Sequence, residues 1–437
     1  MHIAIVTAGG AGMFCGSCMH DNTWARSLKK LGTQVTLLPT YTPLTLDEQD
    51  ESSQPIFLGG INVYLDFRAR FWRSIPRALT RWLDRPGVIN FATRFGVSNN
   101  AQELGDLTLA MLGGEAGPQS REIDELATFL ADSLRPDAVF FSNALLVGAV
   151  RSLRRKFSGR IFCILQGDDI FLEGLKEPHR TQALTAIRDR ARDFDGFFVH
   201  SAYYRDFMAD YLAVPSEKFH IVPLGIDLAG HDGAPSEKKS DKFQVGYFAR
   251  ICPEKGLHQL VDGFRLFHKH HPYTRLRAAG YLGPRDRAYF DKLQDDARDL
   301  GTAFEYAGSP KTHEEKVAFL KSLDVLSVPT VYREPKGLYV LEALANGVPV
   351  VQPRHGAFPE LLEATGGGLL VEPNDPEDLA RALEELLKDP AARMQFAHGG
   401  RAAVHSQYDD GTMARRTLEI LSNHKPHSDG GRMKAEG

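Results

Sequence analysis

Two glutamates in the second half of the sequence are spaced for a ligand that carries hydroxyl and phosphate groups. Glu334 and Glu342 lie in "REPKGLYVLEALANGVPVV", and Gly337 between them marks the predicted start of a helix. The backbone amides of Gly337, Leu338 and Tyr339 would lie at the positive end of that helix, which stabilises a diphosphate. Glu342 would then accept hydrogen bonds from the vicinal hydroxyls of a ribose, and Glu334 from those of a sugar.

Two cations upstream of the glutamates complete a candidate phosphate site. Arg250 follows the apolar run "KFQVGYFA", and Lys255 precedes Gly256 at the predicted start of the next helix. At the carboxyl end of a parallel strand, Arg as a bidentate donor and Lys as a point charge can neutralise a leaving diphosphate. Each cation alone is typical of a solvated surface. Glu342, however, stands among apolar neighbours where an unpaired carboxylate is costly, so the four charges together predict a functional site.

The N-terminal run "GGAGMFCGSCMHD", residues 9–21, has three interpretations: a glycine loop for phosphate, a Cys-x-x-Cys half-site, or a plain turn. Its glycine spacing departs from the dinucleotide fingerprint, and the second predicted strand ends without an acidic residue, which disfavours a nicotinamide dehydrogenase. Cys15 and Cys18 supply two ligands, whereas a structural zinc site needs four. We therefore favour the glycine loop, then the turn, and place metal or redox chemistry last.

The elements that must position these residues alternate between strand and helix, stop, and start again. The interruption is "LAGHDGAPSEKKSD", residues 228–241, which has the composition of an exposed linker. We predict an α/β protein with two doubly wound parallel-sheet domains, 1–230 and 242–405, which face a central cleft and bind ligands at their strand ends. A helix over 408–423 is expected to pack back on the first domain, and the tail 424–437 to be disordered.

Composition excludes several classes of function. The chain has 437 residues, 43% of them hydrophobic and 25% charged, and its net charge of −4 gives no general attraction for nucleic acid. No apolar run reaches the roughly 18 residues of a membrane span, and the N-terminus reads as a strand rather than a signal peptide. The four cysteines are expected to be unbridged. We expect a cytoplasmic protein, with a peripheral place at the inner face of the membrane as the alternative.

The stretch 66–85 contains six arginines and two of the three tryptophans, and it lies in a basic and aromatic insertion over about 66–120. Its near-helical spacing favours a helix pair beside the acceptor cleft, with the arginines facing water. Contact with an anionic membrane surface is the second interpretation, and it would suit a lipid-linked acceptor.

Several segments together resemble the family-4 retaining glycosyltransferases, or group 1 glycosyltransferases, which have the GT-B fold. The similarity is dense from about residue 200 to 387 and looser before it, and it rests on "VHSAYYRDFMADYLAVPSEKFHIVPLGID", "ARICPEKG", "AGSPKTHEEKVAFLKSLDVLSVPT" and "EPKGLYVLEALANGVPVV". The resemblance implies a hexosyltransferase for carbohydrate biosynthesis. Its donor would be a nucleotide-diphosphate sugar held by the C-terminal domain. Its acceptor, a glycan, a lipid or a small molecule, would be held by the N-terminal domain. The resemblance implies no cofactor and no obligatory metal.

The resemblance also implies roles for single residues of the C-terminal domain. Arg250 and Lys255 would bind the diphosphate, Glu342 the ribose and Glu334 the transferred sugar. No sequence feature marks a covalent nucleophile, so we expect a front-face transfer in which the leaving phosphate takes the acceptor's proton and the anomeric configuration is retained.

On the N-terminal domain, Gly10 and Gly12 of the opening loop would cap the diphosphate. Many members of the family carry a His at the end of one N-terminal strand, where this sequence has Gln166 in "CILQGDD". Gln can donate to a sugar hydroxyl but cannot act as a base. Three further residues are candidates for the acceptor side: His20, Asp21 and Asp168.

Two other functions are compatible with the same pattern. Another GT-B enzyme, such as a sugar-nucleotide epimerase, would turn over its donor with no acceptor present. A non-catalytic sugar-nucleotide-binding protein is expected to have lost its site residues, whereas Arg250, Lys255, Glu334 and Glu342 are all present.

Overall fold

A computed structural model of the chain describes residues 1–9, 16–42, 44, 46, 49–53, 101–232 and 242–424. The chain divides into two compact units, each with its own sheet. The first unit comprises Met1–His200, Arg205–Val222 and Met413–Gly437. The second comprises Ser201–Tyr204 and Pro223–Thr412.

The first unit is built on six parallel strands in the order β2-β1-β3-β4-β5-β6. The order reverses between β1 and β3, and such a switch point is where open α/β sheets bind ligands. The strands are β1 His2–Thr7, β2 Gln34–Pro39, β3 Ala138–Phe141, β4 Arg160–Ile164, β5 Gly196–Val199 and β6 Phe219–Ile221. The helices are α1 Gly16–Lys30, α2 Ala101–Leu112, α3 Ser120–Thr128, α4 Val150–Arg154, α5 Asp168–Glu173, α6 His179–Ala191, α7 Ala202–Leu212 (its first residues counted with the second unit) and, from the end of the chain, α15 Asp410–Asn423.

One helix of the first unit comes from the far end of the chain. Trp24 of α1 is almost fully buried, and its indole Nε1 donates to Thr417 Oγ1 of α15 at 3.0 Å. Met413 and Leu421, also on α15, belong to the same apolar cluster as Trp24 and Phe162. The last helix therefore completes the core of the unit that contains the N-terminus.

The second unit has six parallel strands in the order β12-β11-β10-β7-β8-β9. Its order reverses between β7 and β10, as in a dinucleotide-binding fold. The strands are β7 Phe243–Phe248, β8 Thr274–Ala279, β9 Phe304–Tyr306, β10 Val325–Leu326, β11 Val350–Pro353 and β12 Gly368–Val371. The helices are α8 Leu257–His270, α9 Arg287–Asp296, α10 His313–Lys321, α11 Leu338–Ala345, α12 Phe358–Thr365, α13 Pro376–Lys388 and α14 Pro390–Gln407.

Local sequence explains these helices well, and α13 is an example. Asp375 caps its first turn by accepting a hydrogen bond from the Asp378 amide at 2.8 Å, and Pro376 occupies the first helical position. Leu379, Ala382, Leu383 and Leu386 recur at helical spacing, and these four are buried in the core of the unit.

The two parallel sheets with flanking helices confirm the predicted fold class. Several predicted features lie outside the described residues: Gly10 and Gly12, the stretch 66–85, and the tail apart from His424. Of the 66–120 insertion, α2 is described, and Asp106 on it contacts His179 Nε2 at 2.8 Å. Among the described helices, none is both long and apolar enough to span a membrane.

Candidate active site

The candidate site of the second unit lies at the switch point of its sheet. Lys255 ends a short 3₁₀ turn, Pro253–Lys255, after β7, and Glu334 lies in the loop after β10. Gly256 has φ +71°, and a Cβ there would lie 1.8 Å from the carbonyl oxygen of Pro329. Glycine at this position therefore lets the two loops approach closely enough to join their charged side chains.

Lys255 and the buried Glu334 form an ion pair flanked by two tyrosines. Lys255 Nζ lies 2.7 Å from Glu334 Oε2, and the carboxylate is only 5% exposed. The hydroxyls of Tyr332 and Tyr339 donate to the same oxygen at 2.8 and 3.0 Å. Lys255 Nζ also donates to the Tyr332 hydroxyl, and it stands 5.0 and 5.1 Å from the two ring centroids. The four side chains thus form one charged and aromatic cluster.

The cluster keeps Glu334 ionised. Burial alone would raise the pKa of this carboxyl, but the charge of Lys255 and the hydrogen bonds from Lys255 and Tyr332 outweigh burial and lower the pKa to about 2. The site therefore presents a carboxylate, which only accepts hydrogen bonds, throughout the physiological pH range.

Helix α11 begins at the predicted place. Gly337 is its N-cap, with φ +74°, and no side chain of its own caps the first-turn amides. These amides, which include those of Leu338 and Tyr339, lie at the positive end of the helix next to the Lys255–Glu334 pair. The arrangement suits an anion such as a diphosphate.

Glu342 lies further along α11 and is buried, as its apolar neighbours indicated. Its Oε1 is 2.9 Å from Lys316 Nζ of α10, and the two side chains are 8% and 4% exposed. Lys316 is the partner that sequence reasoning missed. Its one sequence signal is a lysine within "KVAFL", next to residues that pack inward.

Arg250 differs from these residues in its exposure. It follows β7, and its side chain is exposed, while Nε donates to the buried Cys252 Sγ at 3.3 Å. The Tyr247 hydroxyl fixes the backbone by donating to the Arg250 carbonyl at 3.0 Å. Among the described residues, the guanidinium forms no ion pair with a carboxylate, although Glu254 and Asp286 lie near enough to act on it electrostatically.

In the first unit, Gln166 and Asp21 meet although 145 positions separate them. Gln166 Nε2 donates to Asp21 Oδ1 at 2.9 Å and to the Ser142 carbonyl at 3.3 Å. The second oxygen of Asp21 accepts from the Thr7 hydroxyl at 2.7 Å. Both carboxylate oxygens of Asp21 are thus engaged within the unit, at the strand ends of the β1/β3 switch point.

His20 and Asp168 are also buried. The His20 ring packs edge-on against His200, with centroids 4.6 Å apart, and Nδ1 lies 3.3 Å from Asp21. Asp168 starts α5 and accepts from the amides of Ala144 at 2.6 Å and Gln166 at 2.9 Å. Burial raises the pKa of Asp168 to about 6, although these hydrogen bonds oppose it. The acceptor-side role of His20, Asp21 and Asp168 stays a prediction.

The structure therefore brings two of the four predicted donor-site charges into contact with each other. The other two do not contact this pair. Lys255 and Glu334 contact each other, Glu342 pairs with Lys316, and Arg250 is exposed. Cys18, Cys163 and Cys252, the described cysteines, are buried free thiols.

Comparison with known proteins shows what the chain is similar to. Residues 232–403 match the family model described as glycosyl transferases group 1. A glycogen synthase of Mycobacterium tuberculosis is 29% identical over 231 residues, which are 52% of this chain and 54% of the relative. The chain thus spans about half the length of this curated relative.

Two solved structures cover nearly the whole chain. A sucrose-phosphate synthase from Thermosynechococcus elongatus gives a TM-score of 0.72 at 17% identity over 97% of this chain and 98% of its own. HepE of Anabaena, in complex with UDP, gives 0.69 at 16% identity over 97% and 100%. At these identities the matches show the fold, which is GT-B. Residues 232–403 are thus similar to the group 1 glycosyltransferases, and nearly the whole chain shares the fold of these two structures.

Proposed function

We propose that the protein is a retaining glycosyltransferase that moves a hexose from a nucleotide-diphosphate sugar to a glycan, lipid or small-molecule acceptor. The observation that carries the proposal is the Lys255–Glu334 pair beside the first turn of α11, with Glu342 further along the same helix. This arrangement combines a cation, free helix amides and two carboxylates, which match the phosphates and hydroxyls of such a donor.

Each part of the donor has a partner in the second unit. The exposed guanidinium of Arg250 and the ammonium of Lys255 bind the diphosphate, together with the first-turn amides of α11. Glu342, paired with Lys316 at 2.9 Å, accepts hydrogen bonds from the ribose hydroxyls. Glu334 accepts one from a hydroxyl of the transferred sugar. Crystal structures of HepE contain UDP and UDP-glucose, which supports a nucleotide-sugar donor for this chain as well.

Charge stabilisation is the main catalytic task in this mechanism. When the anomeric bond breaks, negative charge develops on the diphosphate, and in this proposal Arg250, Lys255 and the helix amides stabilise that charge. The departing phosphate oxygen takes the proton of the acceptor hydroxyl as the new bond forms on the same face of the sugar, so the anomeric configuration is retained. Gln166 of the first unit has an amide side chain and cannot take this proton as a base.

Calorimetric titration with UDP, GDP and ADP tests the donor class. We expect one of the three to bind, and we expect Glu342→Ala to weaken that binding by roughly tenfold or more, because hydrogen bonds to a charged group are worth about 1.5–3 kcal/mol. Glu384→Ala is the matched control, since Glu384 lies on α13 and pairs with Lys388 at the surface. Absence of binding by all three nucleotides would refute the proposal.

Product analysis tests the reaction itself. With the bound nucleotide's sugar derivative and an acceptor panel, we expect a glycoside whose anomeric proton shows the configuration of the donor by NMR. Consumption of the donor without any acceptor, to give an isomeric sugar nucleotide, would identify an epimerase instead.

A further inference from the structure

We propose that Tyr332 and Tyr339 are positioning residues of the donor site: their hydroxyls orient the Lys255–Glu334 pair so that one carboxylate oxygen is reserved for the donor sugar. The inference rests on the proposed function and deepens it, because it concerns how the same site recognises the sugar part of the donor.

The two oxygens of Glu334 have very different surroundings. Oε2 accepts from Lys255 Nζ at 2.7 Å, from the Tyr332 hydroxyl at 2.8 Å and from the Tyr339 hydroxyl at 3.0 Å. Among the residues that the structure describes, Oε1 has one long contact, 3.4 Å from the backbone amide of Lys336. Three donors thus saturate one oxygen and lock the rotation of the carboxylate, and the other oxygen keeps its capacity to accept from a sugar hydroxyl.

The same tyrosines also fix the cation. The Lys255 ammonium donates to the Tyr332 hydroxyl and to Glu334, and these contacts use two of its three N–H groups. Its position 5.0 and 5.1 Å from the two ring centroids adds an attraction between the charge and the aromatic faces. The third N–H is therefore held in one direction, as a phosphate ligand requires.

The two tyrosines act from different segments of the chain. Tyr332 lies in the loop after β10, and Tyr339 lies in the first turn of α11, on the far side of Glu334 in sequence. Because the hydroxyls meet at one oxygen, they hold the loop and the helix start in a fixed relation. A side chain that only fills the core would not need a hydroxyl directed at the Glu334 carboxylate.

The test compares Tyr332→Phe and Tyr339→Phe with wild type, and each substitution removes one hydroxyl and keeps the ring. Tyr211→Phe is the matched control, because the Tyr211 hydroxyl also donates to a carboxylate, that of Glu173 at 2.8 Å, but in the first unit. The probes are UDP and UDP-glucose, with GDP and GDP-mannose in parallel, all titrated calorimetrically, and the melting temperature of each variant is recorded.

We expect each of the two site variants to weaken the sugar nucleotide roughly tenfold more than the nucleotide diphosphate alone, because the oriented oxygen acts on the sugar. Tyr211→Phe should leave this ratio unchanged. Since the Tyr332 hydroxyl helps to lower the pKa of Glu334, Tyr332→Phe should also move the acid limb of sugar-nucleotide binding to higher pH.

The outcomes separate this inference from the proposed function. If wild type binds a sugar nucleotide and both site variants keep its affinity ratio and its pH profile, the inference fails and the proposed function stands. If the variants lose affinity for both ligands equally and melt at lower temperature, the tyrosines are structural and the inference also fails. If wild type binds none of the four ligands and no ADP either, both are refuted.

Discussion

The buried pair of Lys316 and Glu342 gives the sharpest test of how the second unit combines stability with binding. The charges lie 2.9 Å apart, and their side chains are 4% and 8% exposed, so each has lost nearly all of its hydration. Removing one partner from such a pair typically costs about 3–5 kcal/mol, because the other charge stays buried. In a unit of this size, 1 kcal/mol changes the melting temperature by about 2–4 °C.

Lys316→Met should therefore lower the melting temperature of the second unit by roughly 6–20 °C. The double variant Lys316→Met, Glu342→Leu should recover most of this loss, since apolar side chains of similar volume often replace a buried ion pair without cost. Nucleotide binding should not recover in the double variant, because the carboxylate proposed to accept the ribose hydroxyls is gone.

Differential scanning calorimetry and nucleotide titration on the same preparations check both parts. Lys388→Met is the control, because Lys388 pairs with Glu384 at the surface, and no measurable change is expected there. A melting temperature for Lys316→Met within about 2 °C of wild type would refute the reasoning, because it would correspond to a loss of at most about 1 kcal/mol in a unit of this size. So would a double variant that binds nucleotide as wild type does.

Three further predictions concern Arg250, His231 and the need for a metal ion. Arg250→Ala should lower the affinity for the nucleotide diphosphate roughly tenfold, with little change in melting temperature because the guanidinium is exposed. Arg250→Lys should restore only part of this affinity. Calorimetry would measure the binding of both variants, and full binding by the alanine variant would contradict the assignment. Burial and the nearby His313 lower the pKa of His231 to about 4. Between about pH 6.5 and pH 4, the unfolded chain therefore binds a proton that the folded chain does not. The free energy of unfolding should fall as the pH falls through this window. His231→Gln should flatten that dependence in melting temperatures recorded from pH 7 to pH 4, and an unaltered slope would exclude His231 as its source. Chelation with EDTA should leave glycosyl transfer unchanged, and loss of activity that Mg²⁺ or Mn²⁺ restores would show that a metal is needed.

The sequence was sufficient for features that depend on local pattern. The start of α11 followed from Gly337, and the structure places the N-cap there with a positive φ angle. The burial of Glu342 followed from its apolar neighbours. Both inferences use residues within one or two helical turns, where side-chain spacing and backbone conformation are directly linked.

Partners from distant segments could not be predicted in this way. Lys316 precedes Glu342 by 26 positions and lies on another helix, so only the packing of α10 against α11 brings them together. Likewise, the sequence assigned Lys255 and Glu334 to different parts of the ligand and gave no sign that they contact each other. The role of Tyr332 depends on the approach of the loop after β7 to the loop after β10, because its hydroxyl accepts from Lys255, 77 positions earlier in the chain.

The origin of α15 in the first unit has a consequence for how the protein is made. Trp24 and Thr417 are separated by 393 positions, so the ribosome must synthesise the entire second unit before the first can close its core. Until then, the apolar surface around Trp24 and Phe162 lacks its cover and is open to chaperones or to self-association. Residues 223–412, by contrast, have a continuous core of their own. A gene fragment that ends at Val222 should therefore yield insoluble protein, whereas co-expression with a segment carrying α15 should rescue it.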